Sequence, residues 1–350
     1  MSLVPEKPPN QKIKNEIFCS VCIANYNGEE YISRCIDSVL NQDLDLPIEI
    51  IVHDDASTDN SVSFIKTKYP QVVLLESKEN KGFCISNNRM VEVAKGKNIL
   101  LLNNDAALHQ DALQTLKEAL EKHSEGIYGL PQYNMETGEL IDIGSMFDPF
   151  LNPIPNKNRE REDVGMIIGA CLFLPKTLWN HLGGFPPWFE SLAEDMYICC
   201  LARLWGFPVK AIASSGFDHW VGRSLGGGKV TNKRKLSTTI SRRAKSERNK
   251  TFVMVICFPA PFVWLIFPVH LVALALEGGV LSFLKKDKTL WAVIYWNCLK
   301  GQWRFKQKLF QKRRSTQCKR SGTKRSFFKT FILFPQKLLL VLKHGFPEVL

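Results

Sequence analysis

One apolar run that halts on two amides and a carboxylate constrains this chain more than any other feature. From Asn98 the sequence reads Asn-Ile-Leu-Leu-Leu-Asn-Asn-Asp105. An unbroken apolar segment of strand length, without alternation, suits a strand buried on both faces, as in a parallel α/β sheet. Open sheets of that kind bind ligands at the carboxyl ends of their strands. A carboxylate beside amide oxygens is well placed there to hold a divalent metal on a phosphate. Asn and Asp are also common turn residues, so the run acquires meaning only from its neighbours.

Those neighbours repeat the pattern. Strands are expected at 17–24, 48–53, 72–76 and 98–103, and helices at 30–41, 60–69, 86–94 and 111–123. Strands alternating with helical periodicity predict βαβ units and a mixed, mostly parallel sheet of the α/β class. Polar clusters close three of the strands: Asn25-Tyr-Asn-Gly28, Asp54-Asp-Ala-Ser-Thr-Asp59 and Asn103-Asn-Asp105. All three are expected along one edge of the sheet. Asp59 suits capping of the helix that follows it. Residues 134–163 weaken into a Pro- and Asn-rich loop, as fits a substrate-facing segment. Glu194-Asp195 opens a further expected helix at 195–205, ended by Gly206. Phosphate-loop motifs fail: Gly226-Gly-Gly-Lys229 is followed by Val230, Arg223 stands where the first loop glycine belongs, and no G-x-G-x-x-G follows the first strand.

Charge divides the chain. Up to Val221 there are 30 acidic and 19 basic residues, a balance of −11; from Gly222 onward there are 4 and 27, a balance of +23. The basic part contains the long apolar run 252–276, which carries no Asp, Glu, Lys or Arg. About 20 residues suffice to cross a bilayer, yet Pro259, Pro261 and Pro268 interrupt the run, and proline kinks or breaks helices. Arg242, Arg243, Lys245, Arg248 and Lys250 flank it on one side, and Lys285, Lys286 and Lys288 on the other. Basic residues on both flanks fit a re-entrant or interfacial element on an anionic leaflet better than a single crossing. Residues 291–299 and 327–346 mix aromatics, leucines and lysines as surface-lying helices do. Interleaved Phe, Leu and Trp favour lipid over nucleic acid, so no nucleic-acid partner is expected. Residues 1–15 hold no apolar signal core, which predicts a catalytic part on the cytoplasmic side of the cell membrane. The ten cysteines lie scattered in apolar segments. Cys19 and Cys22 sit within the first expected strand and read as reduced, buried residues rather than a metal pair.

The chain resembles the family 2 glycosyltransferases, including bacterial rhamnosyltransferases and polysaccharide-building enzymes. Ser20-Val-Cys-Ile-Ala-Asn-Tyr-Asn-Gly28, Val52-His-Asp-Asp-Ala-Ser-Thr-Asp-Asn-Ser61, Asn80-Lys-Gly-Phe83 through Asn88, and Leu101-Leu-Asn-Asn-Asp105 carry that resemblance. Ile168-Gly-Ala-Cys-Leu-Phe-Leu-Pro175, Gly183-Gly-Phe185, Glu194-Asp195 and His219 complete it over about 200 residues. The resemblance implies the GT-A fold, a nucleoside-diphosphate sugar donor, Mn2+ or Mg2+, and inversion at the anomeric carbon. Asp54 resembles the family residue that accepts a hydrogen bond from the donor base, and Asp55 stands where many relatives carry Asn. Ala24, Tyr26, Asn27, Glu29, Gly82, Asn88, Asn103 and Asn104 are the further residues expected around the donor nucleotide. Asp105 matches the last residue of a D-x-D-like metal motif whose first member here is the amide Asn103. His219, ahead of the segment Gly222-Arg-Ser224, is the second expected metal ligand, and an imidazole would favour manganese. Gly226 to Gly228 would form a mobile lid. Asp195 resembles the general base, with Glu194 beside it as a supporting or acceptor-contacting acid. Trp188 and Phe189 are candidates to stack on a sugar, or plain core aromatics.

The expected organisation is a flexible tail (1–16), a GT-A domain (17–225), a basic linker (226–250) and a basic, apolar, membrane-associated helical region (251–350). The expected activity is an inverting, metal-dependent transfer from a dTDP- or UDP-sugar, rhamnose among the candidates, to a hydroxyl of a lipid-linked or glycan acceptor in cell-envelope polysaccharide synthesis. The alternative is a catalytically inactive nucleotide-sugar-binding scaffold of the same fold.

Overall fold

The computed structural model describes residues 16–220, 227–230, 236–345 and 348–349. The expected tail up to Asn15, the segment Gly222-Arg-Ser224 and Gly226 of the expected lid lie outside the described residues.

The first half alternates as the sequence predicts: β1 (Cys19–Asn25), α1 (Ile32–Leu40), β2 (Ile48–Asp54), α2 (Ser61–Lys68), β3 (Val73–Glu76), α3 (Phe83–Val93) and β4 (Asn98–Asn103). Then follow β5 (Ala106–Leu108), α4 (Ala112–His123), β6 (Ile127–Gly129), β7 (Gln132–Asn134), β8 (Leu140–Asp142), β9 (Ser145–Phe147) and β10 (Pro153–Pro155). This half ends with β11 (Cys171–Pro175), α5 (Lys176–Leu182), α6 (Glu194–Leu204), β12 (Val209–Ala211) and β13 (Phe217–His219). Seven strands form the main sheet in the order β12-β6-β11-β4-β1-β2-β3. β1 pairs in parallel with both β2 and β4, placing Asn25 beside Asp54 and Ala24 beside Asn103. The chain order therefore reverses at β1, and the crevice at such a reversal is where open α/β sheets take ligands. β11 runs antiparallel to β4, and a second sheet, β5-β13-β7-β8, stands beyond it.

Side chains of β1 divide by parity. Cys19, Val21 and Ile23 enter a core shared with α1 and α4, whereas Cys22 enters one shared with α3, α5 and α6. Both cysteines are fully buried and unbridged, and burial raises their thiol pKa values well above the ordinary range. α1 buries Ile32, Cys35, Ile36 and Val39, the i, i+3, i+4, i+7 face of an amphipathic helix.

The basic half departs from expectation in three respects. Residues 240–257 form one helix, α7 (Ile240–Cys257), so the expected boundary at 250/251 falls inside it. Its Phe252, Val253, Met254, Ile256 and Cys257 belong to the same core as Leu101, Leu172 and Met196. An apolar face of that length leaves water only against the α/β domain, and the 240–250 part of the expected linker is the first half of this structural helix, with Glu247, Asn249 and Lys250 buried. Gly227 and Gly228, expected in a mobile lid, stand in a short strand, Gly227–Val230, antiparallel to Leu236–Thr238.

The run 252–276 breaks at Phe258–Pro261, and a second long helix, α8 (Phe262–Lys285), follows with Pro268 inside it. Shorter helices complete the chain, among them Asn297–Arg304, Lys306–Cys318, Lys324–Phe328 and Gln336–His344. Residues 327–346 are not wholly surface-lying. Phe327 is buried, and Phe327, Phe328 and Phe331 pack edge-on around Phe258. Indole Trp205 Nε1 donates 2.9 Å to the Thr316 carbonyl and Arg203 donates 2.7 Å to the Ser326 carbonyl, fastening α6 to the C-terminal helices.

Candidate active site

The carboxyl ends of β1, β2 and β4 build a cleft of about 530 Å³, lined by Tyr26, Asn27, Glu29, Glu30, Tyr31, Asp59 and Asn104. Its walls are stapled loop to loop. The Asn27 backbone adopts a left-handed φ of 50°, its N–H donates 2.9 Å to Ser57 Oγ, and its side-chain oxygen accepts from Thr58 N at 2.8 Å. Asp59 accepts from the N–H groups of Glu29 and Ser61 at 2.9 and 3.1 Å, while Glu29 Oε2 accepts from Asn60 N at 3.1 Å. Asp59 thus both caps the start of α2 and ties it to the β1 loop.

Several residues expected on the donor are turned inward. Asp54 is buried and accepts from Asn25 Nδ2 at 2.8 Å, Ser57 Oγ at 2.6 Å and Ser57 N at 2.9 Å. Asp55, also buried, grips the loop before α3 by accepting from Lys81 N at 2.8 Å and Gly82 N at 2.7 Å. Gly82 has φ of 88°, and a Cβ there would meet the Glu190 carbonyl oxygen at 3.0 Å. Asn88 closes a reciprocal pair with the Phe185 backbone, at 2.8 and 3.0 Å. Asn104 Nδ2 donates 2.9 Å to Asn25 Oδ1, and a Cβ on Gly28 would overlap both groups. Of the expected donor residues, Tyr26, Asn27, Glu29 and Asn104 line the cleft, Ala24 and Asn103 flank it on the sheet edge, and Asp54, Asp55, Gly82 and Asn88 shape the loops behind it.

Two residues past the end of β4, Asp105 is buried, and its Oδ1 lies 3.0 Å from His219 Nε2 at the end of β13. The antiparallel pairing of β5 with β13 sets His219 opposite Ala106 and so brings the two together. Asn103 Nδ2 stands 3.5 Å from the same imidazole nitrogen. Asp105 Oδ2 is buried with no hydrogen-bond partner among the described residues, although buried carboxylate oxygens ordinarily have one. On the far side of the ring, Nδ1 lies 2.8 Å from the Gln132 side-chain amide. Gln132 Nε2 is the atom that faces Nδ1 and donates to it, which puts the imidazole proton on Nε2, toward Asp105 Oδ1; with the Gln132 amide turned to present its oxygen, the proton moves to Nδ1 and the Nε2 lone pair is free for a cation. Sequence reasoning missed Gln132, whose only signal is its place two residues before Asn134 in a strand beside β13.

Among the described residues no group of three or more His, Cys, Asp or Glu side chains is arranged to hold a metal. Asp105 and His219 nevertheless fit a divalent ion whose remaining positions go to diphosphate oxygens and water, the habit of Mg2+ and Mn2+ at phosphate sites. The unpartnered Asp105 Oδ2 is the observation that supports this fit.

Asp195 reaches the same region along β4 and β11. Asn103 N donates 3.1 Å to the Ala170 carbonyl, and next to it Gly169 N donates 3.0 Å to Asp195 Oδ2. Met196 N donates 2.7 Å to Asp195 Oδ1, so the carboxylate is oriented from both sides. Glu194 is buried with Oε2 unpartnered; burial first, and the Asp195 charge second, push its carboxyl up to about 8. Burial raises Asp195 as well, against the lowering effect of the Gly169 and Met196 N–H groups. Arg242 of α7 is close enough for its charge to favour ionisation of both acids.

The loop delivering this pair is unusual. Glu190, Leu192 and Ala193 all have left-handed φ values, of 64°, 75° and 64°. Asn249 of α7, fully buried, donates to the carbonyls of Phe189 at 2.8 Å, Ser191 at 3.0 Å and Leu192 at 2.9 Å. Lys245 adds an ion pair to Glu190 at 2.9 Å. Trp188 and Phe189 are core aromatics: both pack on Phe252, with ring centroids 5.1 and 6.0 Å away.

Residues 20–182 match the sequence model of a family described as glycosyl transferase family 2. The chain is 32% identical over 185 residues to a chondroitin synthase of Pasteurella multocida, covering 51% of this chain and 18% of that protein. It is 38% identical over 99 residues to a poly(ribitol-phosphate) beta-glucosyltransferase of Bacillus spizizenii, covering 27% of this chain and 16% of that one. The chain therefore spans less than a fifth of the length of either relative. Its fold is similar to that of S. aureus TarS 1-349, with a TM-score of 0.56 at 14% identity over 86% of this chain and 90% of that one. It is also similar to GalNAc-T7 solved with UDP, GalNAc and Mn2+, with a TM-score of 0.56 at 16% identity over 71% of this chain and 49% of that one. These structural likenesses show the GT-A fold.

Proposed function

Because residues 20–182 belong to glycosyl transferase family 2, we propose that this protein is an inverting, metal-dependent glycosyltransferase. It moves a sugar from a nucleoside diphosphate, dTDP or UDP, to a hydroxyl of a lipid-linked or glycan acceptor in cell-envelope polysaccharide synthesis. It works on the cytoplasmic side of a membrane that its C-terminal region meets. The observation that carries this reading is the unpartnered Asp105 carboxylate oxygen beside His219, at the sheet's reversal point and one strand from Asp195.

The nucleotide enters the cleft of Tyr26, Asn27, Glu29 and Asn104, whose loops are already fixed by Asp54, Asp55 and Asp59. Fixed loops reduce the ordering cost of binding. Asp105 and His219 would hold a Mn2+ or Mg2+ ion, whose charge would offset that of the departing nucleoside diphosphate. Asp195 takes the proton from the acceptor hydroxyl as that oxygen attacks the anomeric carbon. The new C–O bond forms opposite the breaking bond to the diphosphate, which leaves with the electron pair, so configuration inverts. Glu194 supports this division of labour: with its own proton retained near neutral pH, negative charge concentrates on Asp195.

The test is a thermal-shift panel of nucleotide sugars on the full chain, with and without Mn2+, followed by product analysis with the stabilising donor. Stabilisation by one donor that requires the ion, with turnover, is expected, since ligand that binds only the folded state raises its stability. Donor binding without turnover on any hydroxyl acceptor would move the protein to the scaffold reading.

A further inference from the structure

We infer that α8 lies in the plane of an anionic membrane leaflet, with one long side on the protein and the other in lipid, and does not cross the bilayer. This rests on the reading above that the C-terminal region meets a membrane. The helix has 24 residues, or roughly 36 Å at 1.5 Å per residue, and among the described residues it is the one helix long and apolar enough to span.

Its length is already committed to the protein. Val263, His270, Leu274, Gly278 and Leu281 are buried, recurring at three-, four- and seven-residue intervals along one face. His270 Nε2 lies 2.9 Å from Thr251 Oγ1 of α7. Glu277 is paired with Arg243 of α7 and, at 2.7 Å, with Lys337 of the helix Gln336–His344. Gly278 packs so closely on Trp291 and Tyr295 that a Cβ would meet their rings at 2.5 and 2.6 Å. Crossing a bilayer would peel away this whole face and carry Glu277 into hydrocarbon without its cations, which membranes tolerate poorly.

The opposite side is exposed and apolar. Leu265, Val269, Val272, Leu276 and Phe283 form a stripe, with Leu276 65% and Phe283 83% exposed. Leu333, 86% exposed, and Phe334 are further exposed apolar residues, just before the helix that Lys337 ties to α8. An exposed apolar surface of this extent marks an interaction site.

Charge selects its occupant. Lys285, Lys286 and Lys288 close the C-terminal end of the stripe, all exposed. The acids that could offset them are engaged: Glu247 and Glu277 sit in ion pairs with Lys250, Lys337 and Arg243, and Asp287 caps its own helix by accepting from Thr289 N at 2.8 Å. Exposed Trp296 and Trp303 have the amphipathic rings that favour a membrane–water interface. An apolar stripe with a basic border, in a region that also exposes tryptophans, matches an anionic lipid surface.

The test uses the full chain. It should float with phosphatidylcholine vesicles containing phosphatidylglycerol at least ~10-fold better than with phosphatidylcholine alone, and less well at high salt. The double variant Leu265→Glu, Val272→Glu changes only exposed positions, so it should keep donor-induced stabilisation yet lose flotation at least ~10-fold. For sidedness, Ala260→Cys and Lys286→Cys, at the two ends of α8, are placed separately in a Cys318→Ser background. An impermeant maleimide should reach both from the same face of sealed membranes of expressing cells. Labelling from opposite faces would overturn the in-plane placement while leaving membrane attachment intact. No flotation on any vesicle would overturn both. Flotation unchanged in the double variant would remove the stripe from the contact, and a dimer abolished by that variant would assign the stripe to a second copy.

Discussion

The side-chain amide of Asn249 stands 2.9 Å from the carbonyl oxygen of Leu192, and by that bond a helix of the basic half holds the loop that delivers Asp195. Left-handed backbone at Leu192 and Ala193 is conformationally costly, of order 1–3 kcal/mol per residue, and persists only when its surroundings hold it. Asn249→Ala removes the donor from three carbonyls at once. The expected result is a kcat lower by roughly 10- to 100-fold from misplacement of Asp195, the proposed base, with donor-induced stabilisation retained. Parent-like kcat in a folded Asn249→Ala protein would show that the loop holds itself.

Asp195→Asn keeps the shape of the side chain but cannot take a proton. Its kcat should fall by about 10²- to 10⁴-fold with little change in donor affinity. Steady-state kinetics beside donor thermal shifts separate the two. A comparable loss of donor binding would move Asp195 from base to donor contact.

Asp105→Ala should abolish the part of donor-induced stabilisation that requires Mn2+. Gln132→Leu, which leaves both proposed ligands in place but frees the imidazole to turn, should weaken Mn2+ binding by about 10- to 100-fold. Manganese titration followed by calorimetry with donor present reads both. Unaltered affinity in Gln132→Leu would mean that the 2.8 Å contact to His219 does not set the ring's orientation.

Burial and the Asp195 charge push the Glu194 carboxyl up to about 8, from an ordinary value of 4.5. Between those values the folded chain holds a proton that the unfolded chain releases. The resulting stabilisation is complete below pH 4.5 and is lost as pH rises through about 8. The parent's Tm should therefore fall more steeply from pH 6 to pH 9 than that of Glu194→Gln, whose amide cannot ionise. Parallel pH profiles would place Glu194 in water.

The four parallel strands and the polar edge were legible in the sequence because buried strands and turn residues contrast sharply, as at Leu102 and Asn103. Less legible was what each edge residue does. Asp54, Asp55 and Asn88 carry the polar chemistry of ligand contacts, yet each is taken up by backbone N–H groups or side chains of a neighbouring loop. The Asp55 and Asn88 pairings join positions 27 and 97 residues apart, which no local pattern encodes. The α7 region misled for a different reason. Its arginines and lysines read as a basic linker flanking a membrane element, although Lys250 is buried beside Glu247 at 2.8 Å and donates 2.6 Å to Asn152. α3 likewise begins at Phe83, three residues before the expected start, because Asp55 fixes the Gly82 turn ahead of it.

Lys337 joins Glu247 of α7 and Glu277 of α8, at 2.6 and 2.7 Å, from a helix only a few residues before the chain's last residue. Anyone shortening this protein for expression will be tempted to trim that greasy, basic end. Removal of one partner from a buried ion pair is destabilising, and here one cut would strip a cation from two carboxylates at once, leaving Glu247 to Lys250 and Glu277 to Arg243. A shortened form that yields well-behaved protein must keep residues through 344, or exchange Glu247 and Glu277 for neutral residues in the same step.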